Sequence, residues 1–367
     1  MRILIAINQA RVLYDFKREL VSALLEQGHD LFLSFEEDFR AEHFEHTNAK
    51  IVATRVNPRG INPFHDYRLY RFYKRQIRKI RPDLVLTFTI KPNVFCGKAC
   101  QKKHTRYIAT ISGMGTALNS PGLLGEIAAS LYRSGLHGAE RVFCQNESIE
   151  RRALAEHFAR PEQIVRVPGS GVDVERFQYL EYPSADAPIE LLFIGRLMRD
   201  KGVGEFLECA RAFHETRPDV KFRILGAPER KCPEYRHVVN AANDGYVEYL
   251  GYQLDAIPYL QTASAVVLPS YHEGLSNVLL EGAASGRPVL ASNIPGCAET
   301  FDEGATGLGF EPRSADALVD AVGRFLETPY EERKAMGVRG REKVAAKFNR
   351  KDVVQLYLDE IARLGKG

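Results

Sequence analysis

Glu273 and Glu281 lie eight residues apart in the run SYHEGLSNVLLEG, residues 270–282. Val266 to Leu268 reads as a buried strand, Pro269 to Gly274 as its exit loop, and Ser276 or Asn277 as a helix cap. A helix N-terminus facing the carboxyl end of a parallel strand is an anion site. Carboxylates beside it are strong acceptors for sugar or ribose hydroxyls. The pattern therefore suits a nucleotide sugar, with its diphosphate on the helix end and its hydroxyls on Glu273 and Glu281. Hydrolysis is disfavoured. Eight helical residues would separate the two carboxylates by about 12 Å, beyond the roughly 5–5.5 Å of retaining and roughly 6.5–9.5 Å of inverting glycosidases.

Arg196 and Lys201 follow another apolar strand signal, Leu191 to Ile194, where ligands of open α/β sheets gather. Fixed cations there neutralise a diphosphate. They also stabilise the negative charge that the leaving group gains as the glycosidic bond breaks. Gly195 and Gly226 end strand signals, and either admit close ligand approach or cap the strands. No D-x-D motif occurs; Glu36-x-Asp38 and Asp173-x-Glu175 sit in other contexts. Arg196, Lys201 and the helix end can do a metal's electrostatic work, so neither metal nor cofactor is expected.

The run 270–282 resembles the E-x7-E motif of the family-4 retaining glycosyltransferases. Gly195-Arg196-Leu197, Lys201-Gly202, Pro288 to Glu299 and Gly304 to Gly307 follow the same order, covering roughly residues 190–315. Thr89 to Asn93 and Ile111 to Gly115 look like the branch that builds lipid-linked oligosaccharides and capsular or O-antigen repeats. The resemblance implies the GT-B fold: two facing Rossmann-like α/β domains with a cleft between them and a C-terminal helix crossing back. It implies catalytic roles for Arg196, Lys201 and Glu273, and ribose contact by Glu281. Gly274, Leu275, Ser276 and Asn277 would present backbone amides to the diphosphate. It further implies retention of α-configuration, with a donor phosphate oxygen helping to deprotonate the acceptor. Some relatives carry a His in the loop after the fourth strand; here Ser112 to Thr116 lacks one.

Strand and helix signals alternate along the whole chain, as parallel α/β folds require. Strands are expected at the N-terminus, at 31–35, 84–89, 107–111 and 141–144, then at 191–195, 222–226, 247–251 and 265–268. A helix with Phe16, Leu20, Ala23 and Leu24 on its face closes at Gly28. The tail reads as helices 315–326, 330–346 and 353–364. Domains are set at 1–168 with a crossing helix 348–367, a Gly- and Pro-rich linker at 169–188, and 189–347. At 367 residues, two cores are the default. Six scattered cysteines form no C-x-x-C pair, which argues for packing rather than metal. No stretch reads as a signal sequence or membrane span. The expected location is cytoplasmic, peripheral on the cytoplasmic face of the membrane.

Residues 55–106 hold 14 Lys or Arg against two acids, Asp66 and Asp83, although the whole chain carries only +3. Tyr67 to Ile80 is helical in order, with Leu69, Phe72, Tyr73, Ile77 and Ile80 near one face and Arg68, Arg71, Arg75, Arg78 and Lys79 opposite. Each basic residue near an anionic leaflet contributes roughly 1 kcal/mol. A solvated helix face is the plain alternative. Nucleic acid is not expected, since no reader motif accompanies the charge. Thr89, Lys91 and Asn93 follow a strand, Gly113 and Gly115 form a permissive turn, and Arg18 stands where many relatives have a Gly-rich loop. These six are the acceptor candidates.

The expectation is a metal-independent hexosyltransferase moving a hexose, with an N-acetylhexosamine favoured, from a UDP-sugar to a lipid-linked glycan acceptor. One rival is a nucleotide-sugar 2-epimerase of similar architecture. The other is a non-enzymatic protein using the basic stripe for membrane or nucleic acid.

Overall fold

The structure is a computed structural model describing residues 1–54, 62–118, 122–229 and 233–365, with the side chains of residues 116 and 117 excepted. Residues 55 and 59 of the basic stripe lie outside the described residues. The chain forms two compact units, Met1–Ser170 with Lys351–Gly367, and Gly171–Arg350.

The first unit opens with β1 (Arg2–Gln9), α1 (Ala10–Glu26), β2 (Asp30–Glu36), α2 (Glu42–Glu45) and β3 (Lys50–Ile51). Next come α3 (Pro63–Ile80), β4 (Leu84–Phe88), α4 (Gly97–Lys103), β5 (Tyr107–Ile111) and α5 (Gly115–Leu118). It continues with α6 (Leu123–Leu136), β6 (Arg141–Cys144), α7 (Glu147–Ala155) and β7 (Ile164–Arg166). The second unit holds β8 (Ile189–Ile194), α8 (Val203–His214), β9 (Val220–Leu225), α9 (Pro233–Asn243) and β10 (Glu248–Tyr249). After them come α10 (Ile257–Thr262), β11 (Ala265–Leu268), α11 (Asn277–Ala284), β12 (Val289–Ser292) and β13 (Gly307–Phe310). The last helices are α12 (Ala315–Glu327), α13 (Tyr330–Lys347) and α14 (Arg350–Gly365).

Both sheets are parallel. Their orders are β3-β2-β1-β4-β5-β6-β7 and β10-β9-β8-β11-β12-β13. The order reverses between β1 and β4, and again between β8 and β11, and the loops leaving those strands flank a crevice at each reversal. The strands are buried on both faces, which is why they read as apolar runs rather than alternations. In β1, Ile3 and Ile5 face one core while Leu4 and Ala6 face another. Three strands expected from sequence, at 107–111, 141–144 and 265–268, have those bounds; β3, β7, β12 and β13 were not foreseen, being short or Gly-containing.

Three differences from the expected elements have physical causes. The buried stripe of α1 is Ala10, Leu13, Lys17, Leu20, Val21 and Leu24, so it is rotated from the expected face and includes a lysine. Lys17 is tolerated there because its ammonium lies 5.4 Å from the Phe88 ring and 4.8 Å from that of Tyr357. Helix α3 begins earlier than expected, because Asn62 caps it by accepting from the Phe64 N–H and Pro63 occupies its first turn. Residues 171–188, expected as a linker, are packed: Val172 and Phe177 join the core of the second unit. A Cβ on Gly171 would stand 2.6 Å from Arg350 Cα, so its glycine serves a tight contact rather than slack.

Helix α14 belongs with the first unit because Val353, Tyr357 and Ile361 enter the core that holds Ile3 and Ile5. Tyr357 stacks on Phe143 at 4.3 Å, and its hydroxyl pairs with that of Thr110 at 2.9 Å.

Candidate active site

The chain leaves β8 at Gly195 and β11 at Pro269, so the loops 195–202 and 269–276 flank the crevice of the second sheet. The first loop ends in a short 3-10 turn, Arg199–Lys201, and Gly202 with φ of 70° starts α8. A Cβ on Gly202 would lie 2.0 Å from the Pro269 carbonyl oxygen, so the loops meet backbone to backbone. The Tyr271 N–H donates to the Asp200 carbonyl at 2.9 Å. Its hydroxyl donates to Glu205 of α8, and burial plus that carboxylate push the phenol up to about 12.

These ties hold two sequence-predicted residues together. Lys201 Nζ donates to Glu273 Oε1, and Ser270 Oγ donates to the same oxygen at 2.8 Å. Both partners of the ion pair are partly buried. A third loop closes on them. Gly296, at φ of 82°, would place a Cβ 2.3 Å from the Gly274 carbonyl oxygen. Next to it, burial pushes the Cys297 thiol well up, with Glu273 adding to the shift and Lys201 opposing it.

Ser276 caps α11, its Oγ accepting from the Leu279 N–H at 3.5 Å. Asn277 and Val278 open the helix, where N–H groups have no intrahelical acceptor. The Asn277 Oδ1 is buried, without a hydrogen-bond partner among the described residues. One of the expected amide roles is corrected here. The Ser276 N–H is taken up by the Gly296 carbonyl at 2.8 Å. The Leu275 side chain is buried in the core, and its expected role was that of its amide. Glu281 lies one turn into α11, half-buried.

Arg196 is exposed and its Nη1 donates to both oxygens of Glu229, at 3.1 and 3.0 Å. The two glycines separate in role. A Cβ on Gly226 would fall 1.7 Å from the Gly195 carbonyl oxygen, so Gly226 is required by the chain's own packing. At Gly195 a Cβ would meet only ordinary contacts, the Phe193 ring at 3.4 Å being the nearest, so the chain's own packing does not require that glycine.

In the first unit the equivalent helix end is already filled. Helix α1 follows β1 directly, and its Arg11 N–H donates to Asp38 Oδ2 at 2.9 Å. The chain's own carboxylate thus stands where an anionic ligand would bind, and this is the context of Glu36-x-Asp38. Thr89 leaves β4 with φ of 69°, an uncommon conformation for a β-branched residue. Lys91 Nζ pairs with Asp66 at 2.7 Å. Arg18 pairs with Glu19 and lies over the Tyr14 ring. Gly113 and Gly115 follow β5, the latter at φ of 65°. Asn93 is corrected: it is wholly buried, accepting from Thr87 at 2.8 Å and donating to the Thr110 carbonyl at 2.8 Å, so it positions the loop rather than meeting a ligand.

Sequence reasoning missed Ser270, Tyr271, Glu205, Glu229 and Gly296 as parts of this site. Pro295-Gly296 was the available signal, a turn dipeptide between two strands. Ser270 lies three residues from Glu273 in the same loop, and the others are joined only by tertiary contact. Among the described residues no group of three or more His, Cys, Asp or Glu could hold a metal ion, and no helix is long and apolar enough to cross a membrane.

Two family models match the chain: "Glycosyl transferase 4-like domain" over residues 16–169 and "Glycosyl transferases group 1" over 188–328. A similar protein from Campylobacter jejuni, N,N'-diacetylbacillosaminyl-diphospho-undecaprenol alpha-1,3-N-acetylgalactosaminyltransferase, is 23% identical over 98% of this chain and 97% of its own length. A lipopolysaccharide core biosynthesis glycosyltransferase of Rhizobium meliloti is 27% identical over 60% of this chain and 64% of its own. Among solved structures, a glycosyltransferase from Rickettsia africae superposes with a TM-score of 0.78 at 18% identity, covering 100% of this chain and 99% of that one. Anabaena HepE, in complex with UDP and glucose, gives 0.78 at 14% identity, covering 99% of each chain. These two likenesses establish the fold.

Proposed function

The chain belongs to the family-4 glycosyltransferases of GT-B fold, and we propose that it transfers a hexose, N-acetylhexosamine in preference, from a UDP-sugar to a lipid-linked glycan in surface polysaccharide or glycan assembly. The observation that carries this reading is the Lys201–Glu273 pair, set at a sheet reversal beside the open end of α11. The diphosphate sits on the α11 end with Arg196 and Lys201 as counter-charges, and Glu273 and Glu281 accept from sugar and ribose hydroxyls. The full-length similarity to a transferase named for a diphospho-undecaprenol acceptor supports the lipid-linked class.

The acceptor hydroxyl oxygen bonds to the anomeric carbon on the face from which the diphosphate departs. The carbon–oxygen bond to the phosphate breaks, its electron pair leaves with the nucleoside diphosphate, and the acceptor proton passes to a phosphate oxygen. Configuration is retained. Charge building on the leaving group is met by Arg196, Lys201 and helix amides already in place, which stabilises the transition state more than the ground state. No bound metal is needed. The exposed basic side of α3 keeps the enzyme on the cytoplasmic face of an anionic membrane.

The test is incubation with a labelled UDP-N-acetylhexosamine and a polyprenyl-diphosphate-linked sugar, with and without EDTA. Label in the lipid extract, an α-linked product and indifference to EDTA are expected. A sugar product formed from donor alone would favour an epimerase and overturn the transferase assignment.

A further inference from the structure

Helices α3 and α6 carry large apolar side chains into solvent: Phe64 is 81% exposed, Leu123 72% and Tyr67 60%. Tyr67 also lines a groove of about 1070 Å³ between α3, α4 and α6, whose lining includes Tyr70, Phe95 and Ile127 together with Lys98 and Lys102. Phe64, Tyr67, Arg71, Arg75 and Arg78 recur at helical spacing, so one exposed stripe of α3 runs from aromatic to cationic. The Arg71 guanidinium lies 6.0 Å from the Tyr67 ring centroid, joining the two halves.

The geometry points to an interfacial membrane anchor: the tips of α3 and α6 enter an anionic phospholipid leaflet, and the cationic stripe engages its phosphates. Aromatic and aliphatic tips suit the boundary between headgroups and acyl chains, and arginines keep their heads in the phosphate layer. Nucleic acid would use the cations but leave Leu123 and Phe64 in water. A second copy of the chain would press one arginine stripe against another, which repulsion opposes. This anchor rests on the membrane-facing part of the proposed function, and it assigns insertion to particular side chains.

The full chain is tested by co-flotation with vesicles of equal parts phosphatidylglycerol and phosphatidylcholine, and with phosphatidylcholine alone. Three proteins are compared: wild type, Phe64→Ser with Leu123→Ser, and Arg71→Glu with Arg75→Glu. Wild type is expected on the mixed vesicles only, and charge reversal should weaken binding at least about tenfold. The serine pair should retain a fraction of the binding at low salt and lose it when salt screens the charges. Melting temperatures should match, since all four positions are exposed. Absence of wild-type binding to the mixed vesicles, or binding unchanged in both variants, overturns the anchor. Self-association of wild type that the serine pair abolishes, without vesicle binding, also overturns it. Transfer to a detergent-soluble short-chain acceptor is measured in parallel. Its absence with vesicle binding intact would remove the proposed function and leave the anchor standing.

Discussion

Lys201, at the end of the loop after β8, donates its ammonium proton to Glu273 in the loop after β11, closing the sheet reversal with one ion pair. The contact joins the two halves of the donor motif and fixes a cation next to an open helix end. Binding of a diphosphate there would set Lys201 between the carboxylate and the phosphates.

Replacing Lys201 by Ala should therefore act on chemistry and on stability together. Removing a charge aimed at the leaving group is expected to lower kcat by about 10²–10³-fold. Leaving Glu273 partly buried with Ser270 but no cation should cost about 1–3 kcal/mol of stability. Steady-state kinetics and urea unfolding of the variant check both. Unchanged kcat would remove Lys201 from the mechanism.

Arg196 gives a cleaner separation. It is 46% exposed and pairs with Glu229 near the surface, an interaction worth at most about 1 kcal/mol. Arg196→Ala should melt within a few degrees of wild type while turnover falls by about 10²-fold or more. Calorimetry and initial rates measure the two arms.

The two glycines should behave oppositely. Gly226→Ala drives a methyl group to 1.7 Å from the Gly195 carbonyl oxygen and should destabilise by about 3 kcal/mol or more, because backbone must move. Gly195→Ala meets only ordinary contacts, so its melting temperature should hold while UDP-sugar affinity falls. Thermal shift with and without UDP-sugar distinguishes them.

Alkaline pH should loosen the first unit through its buried phenols. Burial raises the Tyr357 hydroxyl well above 10, with the Thr110 contact opposing the shift. The folded chain then holds a proton that the unfolded chain has released, so stability is full below about pH 10 and falls as pH rises above it, by about 1.4 kcal/mol per pH unit per group. Tyr357→Phe should lose about 1 kcal/mol at neutral pH with its hydrogen bond and show a shallower decline above pH 10. Urea midpoints from pH 8 to 11 read both effects.

Most of the β-strands, though not β3, β7, β12 or β13, were legible because buried parallel strands are apolar runs, and the donor loops were legible because Gly195 to Gly202 and Ser270 to Glu281 are contiguous in sequence. What escaped were relations across the fold. Tyr271 lies inside the motif, yet its partner Glu205 emerges only when α8 and the loop meet, whereas the Ser270–Glu273 bond is local to the loop. Asn93 looked polar and accessible after a strand, but Thr87 and Thr110 satisfy it inside the core. Lys17 sat on a helix whose apolar residues fit two faces, and the aromatic cover that decides between them comes partly from Tyr357, at the far end of the chain.

Co-crystallisation with UDP examines the central claim directly. The account places the pyrophosphate at the first turn of α11, within hydrogen-bond reach of the Asn277 and Val278 amides and of Arg196 and Lys201. Ordered UDP bound elsewhere, with that helix end facing only solvent, would contradict it.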